Sequence, residues 1–157
     1  MSLRAAAAED VPLLLAFVHE LAAYERAPEA VKMTEAQLHD ALFGPKPRAE
    51  ALIAELDGAP AGFAVWYQSF NTWTGTPALY LEDLFIRPAA RGHGLGKEIL
   101  GYLAGLAVSR GYARMEWMVL DWNFLAIDFY TGMGATPLPD WTKFRLSGDA
   151  LLSVATV

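Results

Sequence analysis

Residues 87–100, RPAARGHGLGKEIL, set Gly92, Gly94 and Gly96 at alternate positions among Arg87, Arg91 and Lys97, directly before an apolar run. Glycine lets backbone amides approach a ligand with no Cβ in the way, and the first N–H groups of a helix attract anions. With Arg87, Arg91 and Lys97 adding positive charge around the turn, the stretch reads as a phosphate cradle suited to a pyrophosphate; taken alone, it reads as readily as a tight turn between a strand and a helix. Two familiar cradles do not fit. A P-loop, GxxxxGK[ST], puts Ser or Thr after its lysine, whereas Lys97 is followed by Glu98. The dinucleotide fingerprint GxGxxG opens a first βαβ unit, whereas GxGxG here lies deep in the chain after several strands.

Other candidate groups flank the glycines. Glu82 and Asp83 precede them in an apolar run; adjacent strand residues face opposite sides, so both line one pocket only if the backbone is irregular. Tyr130 follows Asn123 by seven residues, about two helical turns, so both can face one ligand edge. Asn123 also suits a helix N-cap, and Tyr130 a packing residue with its hydroxyl at the surface. Trp117 and Trp122 read as core or interface bulk.

The elements that must position these groups follow from periodicity. A first strand is expected over residues 2–7. A helix starts near Asp10, carrying Leu14, Phe17, Val18 and Leu21 at helical spacing, and a second is announced by the capping box Thr34–Gln37. EALIAELDGAPAGFAVWYQSF, broken by the turn pair Asp57-Gly58, and TPALYLEDLFIRP give three successive antiparallel strands. A helix follows the glycines and closes at Gly111. ARMEWMVLDWN reads as a strand, FLAIDFYTGM as a short helix and DWTKFRL as a final strand. The order β-α-α-β-β-β-α-β-α-β is a mixed α/β sheet with helices on both faces.

Composition excludes several function classes. A chain of 157 residues, 54% hydrophobic and 19% charged, is long enough to bury a core and is expected to form one domain over 1–157. With no cysteine, thiolate metal sites, disulfides and cysteine nucleophiles are ruled out, and His19, His39 and His93 show no metal-binding spacing. No metal is expected. A net charge of -6 argues against nucleic acid and suits a cationic substrate. No apolar run reaches the roughly 20 residues that span a bilayer, and no signal-peptide pattern opens the chain, so no membrane partner and a cytoplasmic location are expected.

Motifs along nearly the whole chain resemble those of one superfamily. RGHGLG resembles the R/Q-x-x-G-x-G/A acyl-CoA pyrophosphate loop of the GNAT N-acetyltransferases. Asn123, Ala126, Tyr130 and Gly134 reproduce its N-x-x-A-x-x-x-Y-x-x-x-G segment. ELAAYE, TWTG, LYLEDLF, VLDWN and FYTGMGA are most similar to the diamine acetyltransferases, the spermidine/spermine and thialysine enzymes. The resemblance implies a GNAT fold: a mostly antiparallel twisted sheet with a parallel pair splayed where CoA enters. It implies acetyl-CoA as cofactor, contacted by Arg91, Gly92, His93, Gly94, Leu95, Gly96 and Lys97, by backbone groups of Leu84, Phe85 and Ile86, and by Asn123, Ala126 and Tyr130. Tyr130 would protonate the CoA sulfur, and Glu82 would take the amine's proton directly or through water. His93 itself reads as a solvated side chain.

For the amine, the resemblance implies a cleft of Tyr24, Glu25, Trp73, Glu82, Asp83 and Trp141, where carboxylates and aromatic faces suit a polycation. Asn71 stands where polyamine enzymes usually carry Asp, and PLPDW is shorter than its counterpart, so that a carboxylate supplied there is either lost or replaced by Asp140. Both features favour a lysine analogue or small diamine over spermidine. A homodimer is the family's expectation. Two alternatives stay open: an acetyltransferase for protein N-termini or lysines, and an acetyl-CoA-binding module without turnover. The second predicts a lost Tyr130 or a damaged loop, and both are intact.

Overall fold

The computed structural model describes residues 1–155. In chain order the elements are β1 (Ser2–Ala5), α1 (Val11–Tyr24), α2 (Glu35–Phe43), β2 (Glu50–Leu56), β3 (Ala59–Asn71), β4 (Thr76–Ile86), α3 (Leu95–Ser109), β5 (Met115–Glu116), α4 (Phe124–Gly132) and α5 (Gly148–Val154). The chain divides into two compact units, Met1–Leu120 and a second that begins at Asp121.

The first unit holds a sheet in the order β1-β2-β3-β4-β5, antiparallel except for the β4–β5 pair. Asp57 and Gly58 join β2 to β3 with φ of 53° and 78°, the two positive values that a tight hairpin turn demands. Alternation along the strands makes two apolar faces. On one, Ala51, Ile53, Phe63 and Phe85 pack with Val11, Leu14 and Phe17 of α1 and Leu38 and Leu42 of α2, and Phe17 stacks on Phe63 at 5.5 Å. On the other, Leu52, Ala54, Ala64 and Trp66 are buried, and the Trp66 ring lies 6.4 Å from that of Tyr102 in α3. Helices cover both faces, as the sequence predicts. The Thr34–Gln37 capping box also forms: Gln37 donates its backbone N–H to Thr34 Oγ1 at 3.3 Å, and Gln37 Oε1 accepts from the Thr34 amide at 2.9 Å.

In the second unit, α4 forms where a short helix is predicted. The predicted final strand, residues 140–146, does not form: this stretch has no regular structure, and Phe144 in it is 89% exposed. The unpredicted helix α5 follows. The strand predicted over ARMEWMVLDWN shrinks to the two residues of β5. The physical reason is shared. β-propensity becomes a strand only where a neighbour supplies a ladder, and the β4–β5 ladder reaches only from Leu79↔Met115 to Tyr80↔Glu116.

Gly62 is dictated by packing. A Cβ on Gly62, whose partner on β4 is Ile86, would sit 2.4 Å from the Phe85 carbonyl oxygen. Gly62→Ala is therefore expected to push β4 away and cost about 1–3 kcal/mol, as overpacking does. Urea unfolding measures it; an unchanged midpoint would show that the two strands are not held this closely.

Candidate active site

The β3–β4 ladder loses register once. Pairing runs Gly62↔Ile86, Phe63↔Phe85, Ala64↔Leu84 and Val65↔Asp83, then resumes at Trp66↔Leu81, so Glu82 has no partner on β3. One extra residue in one strand is a β-bulge. Residues paired across a ladder share a face. Asp83 thus lies on the α1 face with Val65, and Leu81 on the opposite face with Trp66. Tyr80, paired with Tyr67, is back on the α1 face, and Glu82 alternates with Leu81 to the same side. The bulge therefore brings Glu82 and Asp83, which a regular strand would separate, to one side of the sheet.

Their electrostatics follow from that placement. Asp83 is half-buried, and burial first, then the charges of Glu82 and Glu25, push its carboxyl up to about 6. Glu25, just past the end of α1, is itself raised by burial. The Tyr67 and Tyr80 rings lie 5.1 Å apart, tilted by 32°. Burial, above all, holds both hydroxyls above the usual phenol range, and the charge of Glu82 adds to each. Three carboxyl groups thus share one field beside two aromatic rings. Ionising all three is costly, and a cation among them relieves that cost.

The glycine loop adjoins this cluster. Gly92 and Gly94 adopt φ of 81° and 85°, in the left-handed region. A Cβ on Gly92 would meet nothing within 4 Å, and one on Gly94 only the Met1 methyl at 4.0 Å. The first bond along α3 is Glu98 N–H to the Gly94 carbonyl at 3.0 Å, so the amides of Leu95, Gly96 and Lys97 have no acceptor within the helix. Open space, bare backbone and outward amides fit a pyrophosphate. Among the side chains, Leu95 is buried in the core and Phe85 packs against α1, which leaves both only backbone groups to offer. His93 is exposed, with Nδ1 at 3.0 Å from the Arg91 carbonyl oxygen, and Lys97 is exposed at the helix start.

Arg87 does not add charge to the cradle, contrary to the reading of the sequence. Its guanidinium donates to Glu20 at 2.6 Å and to the Pro60 carbonyl at 3.0 Å, and stacks over Phe17 at 4.5 Å. Beyond Tyr80↔Glu116, β4 has no β5 partner, so Leu84, Phe85 and Ile86 lie where the parallel pair has parted.

Trp73 stands in the turn between β3 and β4, 84% exposed. Asn71, which the sequence comparison reads as a determinant of amine choice, is buried and builds that turn: its Oδ1 accepts from the amides of Trp73 at 2.8 Å and Thr74 at 3.1 Å. In the second unit, Asn123 caps α4, its Oδ1 accepting from the Ala126 amide at 3.3 Å. Tyr130 is half-buried near the other end of α4, its ring 5.3 Å from that of Phe129 and its carbonyl accepting from Ala135 at 3.1 Å. Trp141 is exposed in the irregular stretch. Among the described residues no cluster of side chains could hold a metal ion.

Sequence reasoning missed Tyr67 and Tyr80, which become neighbours of Glu82 only through hairpin register. It also missed where the Arg91 side chain goes, which depends on how α1 ends.

A family model described as "Acetyltransferase (GNAT) family" matches residues 14–135. The chain is 35% identical to a thialysine N-epsilon-acetyltransferase of Bos taurus over 98% of this chain and 96% of that one. It is 36% identical to a human spermidine/spermine N(1)-acetyltransferase-like protein, over 98% of this chain and 23% of that longer one. An integron cassette protein from the mobile metagenome of V. cholerae shares the fold with a TM-score of 0.81 at 24% identity, covering 99% of this chain and 98% of the other.

The raised carboxyl makes a stability prediction. Asp83 in the folded chain holds its proton up to about 6 against an ordinary 3.8, so its favourable neutral form is fully present below 3.8 and is lost as pH rises through 6. Asp83→Asn, which keeps the neutral shape, is expected to stabilise the protein by about 1–2 kcal/mol at pH 8, after allowance for solvent screening, and by nothing below pH 4. Thermal melts at the two pH values measure this; a destabilised variant at pH 8 would contradict the placement.

Proposed function

The chain belongs to the GNAT acetyltransferase family and is an N-acetyltransferase, and we propose that it moves an acetyl group from acetyl-CoA to the primary amine of a small diamine, polyamine or lysine analogue. The observation that carries this reading is the bulge at Glu82, which sets Glu82 and Asp83 on one face within the field of Glu25. A di- or polycation answers that field; a neutral substrate does not. The names of the relatives, thialysine and spermidine/spermine acetyltransferases, point to the same class of amine.

Bound acetyl-CoA supplies an acyl group activated as a thioester. Its pyrophosphate would be held by amides of Gly92 to Lys97, in the loop that Arg91 opens, and its arm by backbone of Leu84 to Ile86. Asn123 and Ala126 would complete the contact. Tyr24, Glu25, Trp73, Asp83 and Trp141 would bind and orient the amine. Glu82, the exposed carboxylate of the bulge, would accept the ammonium proton, directly or through one water, so that the nitrogen lone pair is free to attack. Tyr130 would give its hydroxyl proton to the departing sulfur. Each step assigns one proton to one group, as acyl transfer to an amine requires.

This reading treats residues 1–157 as one catalytic domain and the protein as a cytoplasmic homodimer. Exposed Trp141, Phe144, Leu151 and Leu152 support the dimer as apolar surface that a second copy would cover. No helix among the described residues is long and apolar enough to cross a membrane.

Thiol release from acetyl-CoA across thialysine, lysine, putrescine, spermidine, spermine and a lysine-bearing peptide tests the proposal. Free amines with a second cationic group are expected to react; activity on the peptide alone would transfer the assignment to a protein acetyltransferase. On the preferred amine, Tyr130→Phe should keep the Kd for CoA and lower kcat at least tenfold, since the proton donor goes while packing stays. An unchanged kcat removes Tyr130 from the mechanism.

A further inference from the structure

Arg91 opens the glycine loop, yet its side chain does not lie along it. Its amide closes the short turn Pro88–Ala90 by donating to the Pro88 carbonyl at 3.2 Å, and its Nε donates to the Ile86 carbonyl at the end of β4 at 3.0 Å. The guanidinium carbon then sits 4.5 Å from the Tyr24 ring centroid and 6.0 Å from that of Phe85. The two rings are 6.5 Å apart. Immediately afterwards Gly92, with φ of 81°, turns the backbone towards α3. One residue thus faces two ways: its successors present amides to the open cradle, while its cation covers the last ring of α1.

Tyr24 is the last residue of α1, and Glu25 follows it. The helix closes with Ala27 donating to the Ala22 carbonyl at 2.8 Å, and with Arg26 at φ 63°, a left-handed value that favours glycine. A helix end that stops on a non-glycine residue in this region carries strain of its own, so what fixes it matters. The aromatic anchor beneath it is Tyr24 on Phe85, and Phe85 is two residues from Asp83 on β4. The position of Glu25 relative to Asp83 therefore rests on the ring that Arg91 covers.

Resting on the reading given under Proposed function, we propose that Arg91 is a positioning residue for the amine, holding Tyr24 and with it Glu25, and that it thereby links the cofactor loop to the amine cleft. The loop backbone, not this side chain, carries the affinity for CoA. Linkage makes such a connection reciprocal: if bound cofactor stiffens the loop and its first residue, amine affinity rises by the same factor as cofactor affinity rises with amine present.

The test uses the whole chain with its preferred amine, measuring amine KM, kcat and, by calorimetry, the Kd for CoA. Arg91→Ala is expected to raise amine KM three- to tenfold while the Kd for CoA changes less than twofold. Tyr24→Leu should give the same pattern, and the double variant no more than the larger single effect, because both remove one contact. Arg91→Lys keeps the charge without the planar guanidinium, and should leave amine KM raised. A Kd for CoA raised tenfold or more in Arg91→Ala, restored by Arg91→Lys and untouched by Tyr24→Leu, would overturn the proposal in favour of a direct phosphate contact. Equal losses of kcat and melting temperature with unchanged amine KM would overturn it in favour of a fold-stabilising role. Wild-type protein that transfers acetyl to no small amine refutes the functional reading itself, an outcome that these four variants do not mimic.

Discussion

The hydrogen-bonded ladder between β3 and β4 skips one residue, Glu82, and the chemistry of the site depends on that skip. Without it Glu82 and Asp83 would point to opposite faces, one towards α1 and the other towards α3. With it, two adjacent carboxyl groups share a face, and the strand changes direction where the parallel β4–β5 pairing ends. A bulge leaves the extra residue's backbone outside the ladder. The structure offsets that loss with packing on either side: Phe85 is buried against Phe17 and Tyr24 beyond the bulge, and Leu79 and Leu81 are buried before it.

Charge then follows from geometry. Asp83 is half-buried beside Glu82 and near Glu25, so its proton is held to about 6, and near neutral pH the cluster is short of a counter-charge. An ammonium group is that counter-charge. Two nearby cations are engaged elsewhere: Arg87 by Glu20 and Pro60, and Arg91 by the Tyr24 ring and the Ile86 carbonyl. The acidic net charge is thus expressed locally, in the cluster of Glu25, Glu82 and Asp83.

Much of the fold was legible because local signals suffice for it. The Asp57-Gly58 turn, the Thr34–Gln37 box and the helical spacing of Leu14 and Phe17 each dictate structure within a few residues. The glycine loop was legible for the same reason, since Gly92 and Gly94 take positive φ that other residues resist. What failed depends on partners distant in sequence. DWTKFRL has the composition of a strand but no ladder to join, and Arg87 has the charge of a cradle cation but pairs with Glu20, far away in the chain. Asn71 stands where polyamine enzymes usually carry Asp, and that its side-chain oxygen also holds the β3–β4 turn is visible only in the structure. The bulge itself leaves no trace in composition; the adjacent Glu82-Asp83 pair only posed the question that it answers.

The central claim is that the bulge assembles a carboxyl cluster tuned to bind a cationic amine. NMR titration of the Asp83 side-chain carboxyl, first alone and then with a saturating diamine, tests it most directly. The account predicts a midpoint near 6 in the free protein and a fall of about one unit or more with the diamine, because a bound cation favours the ionised form. A midpoint at the ordinary aspartate value, unmoved by the diamine, would contradict it.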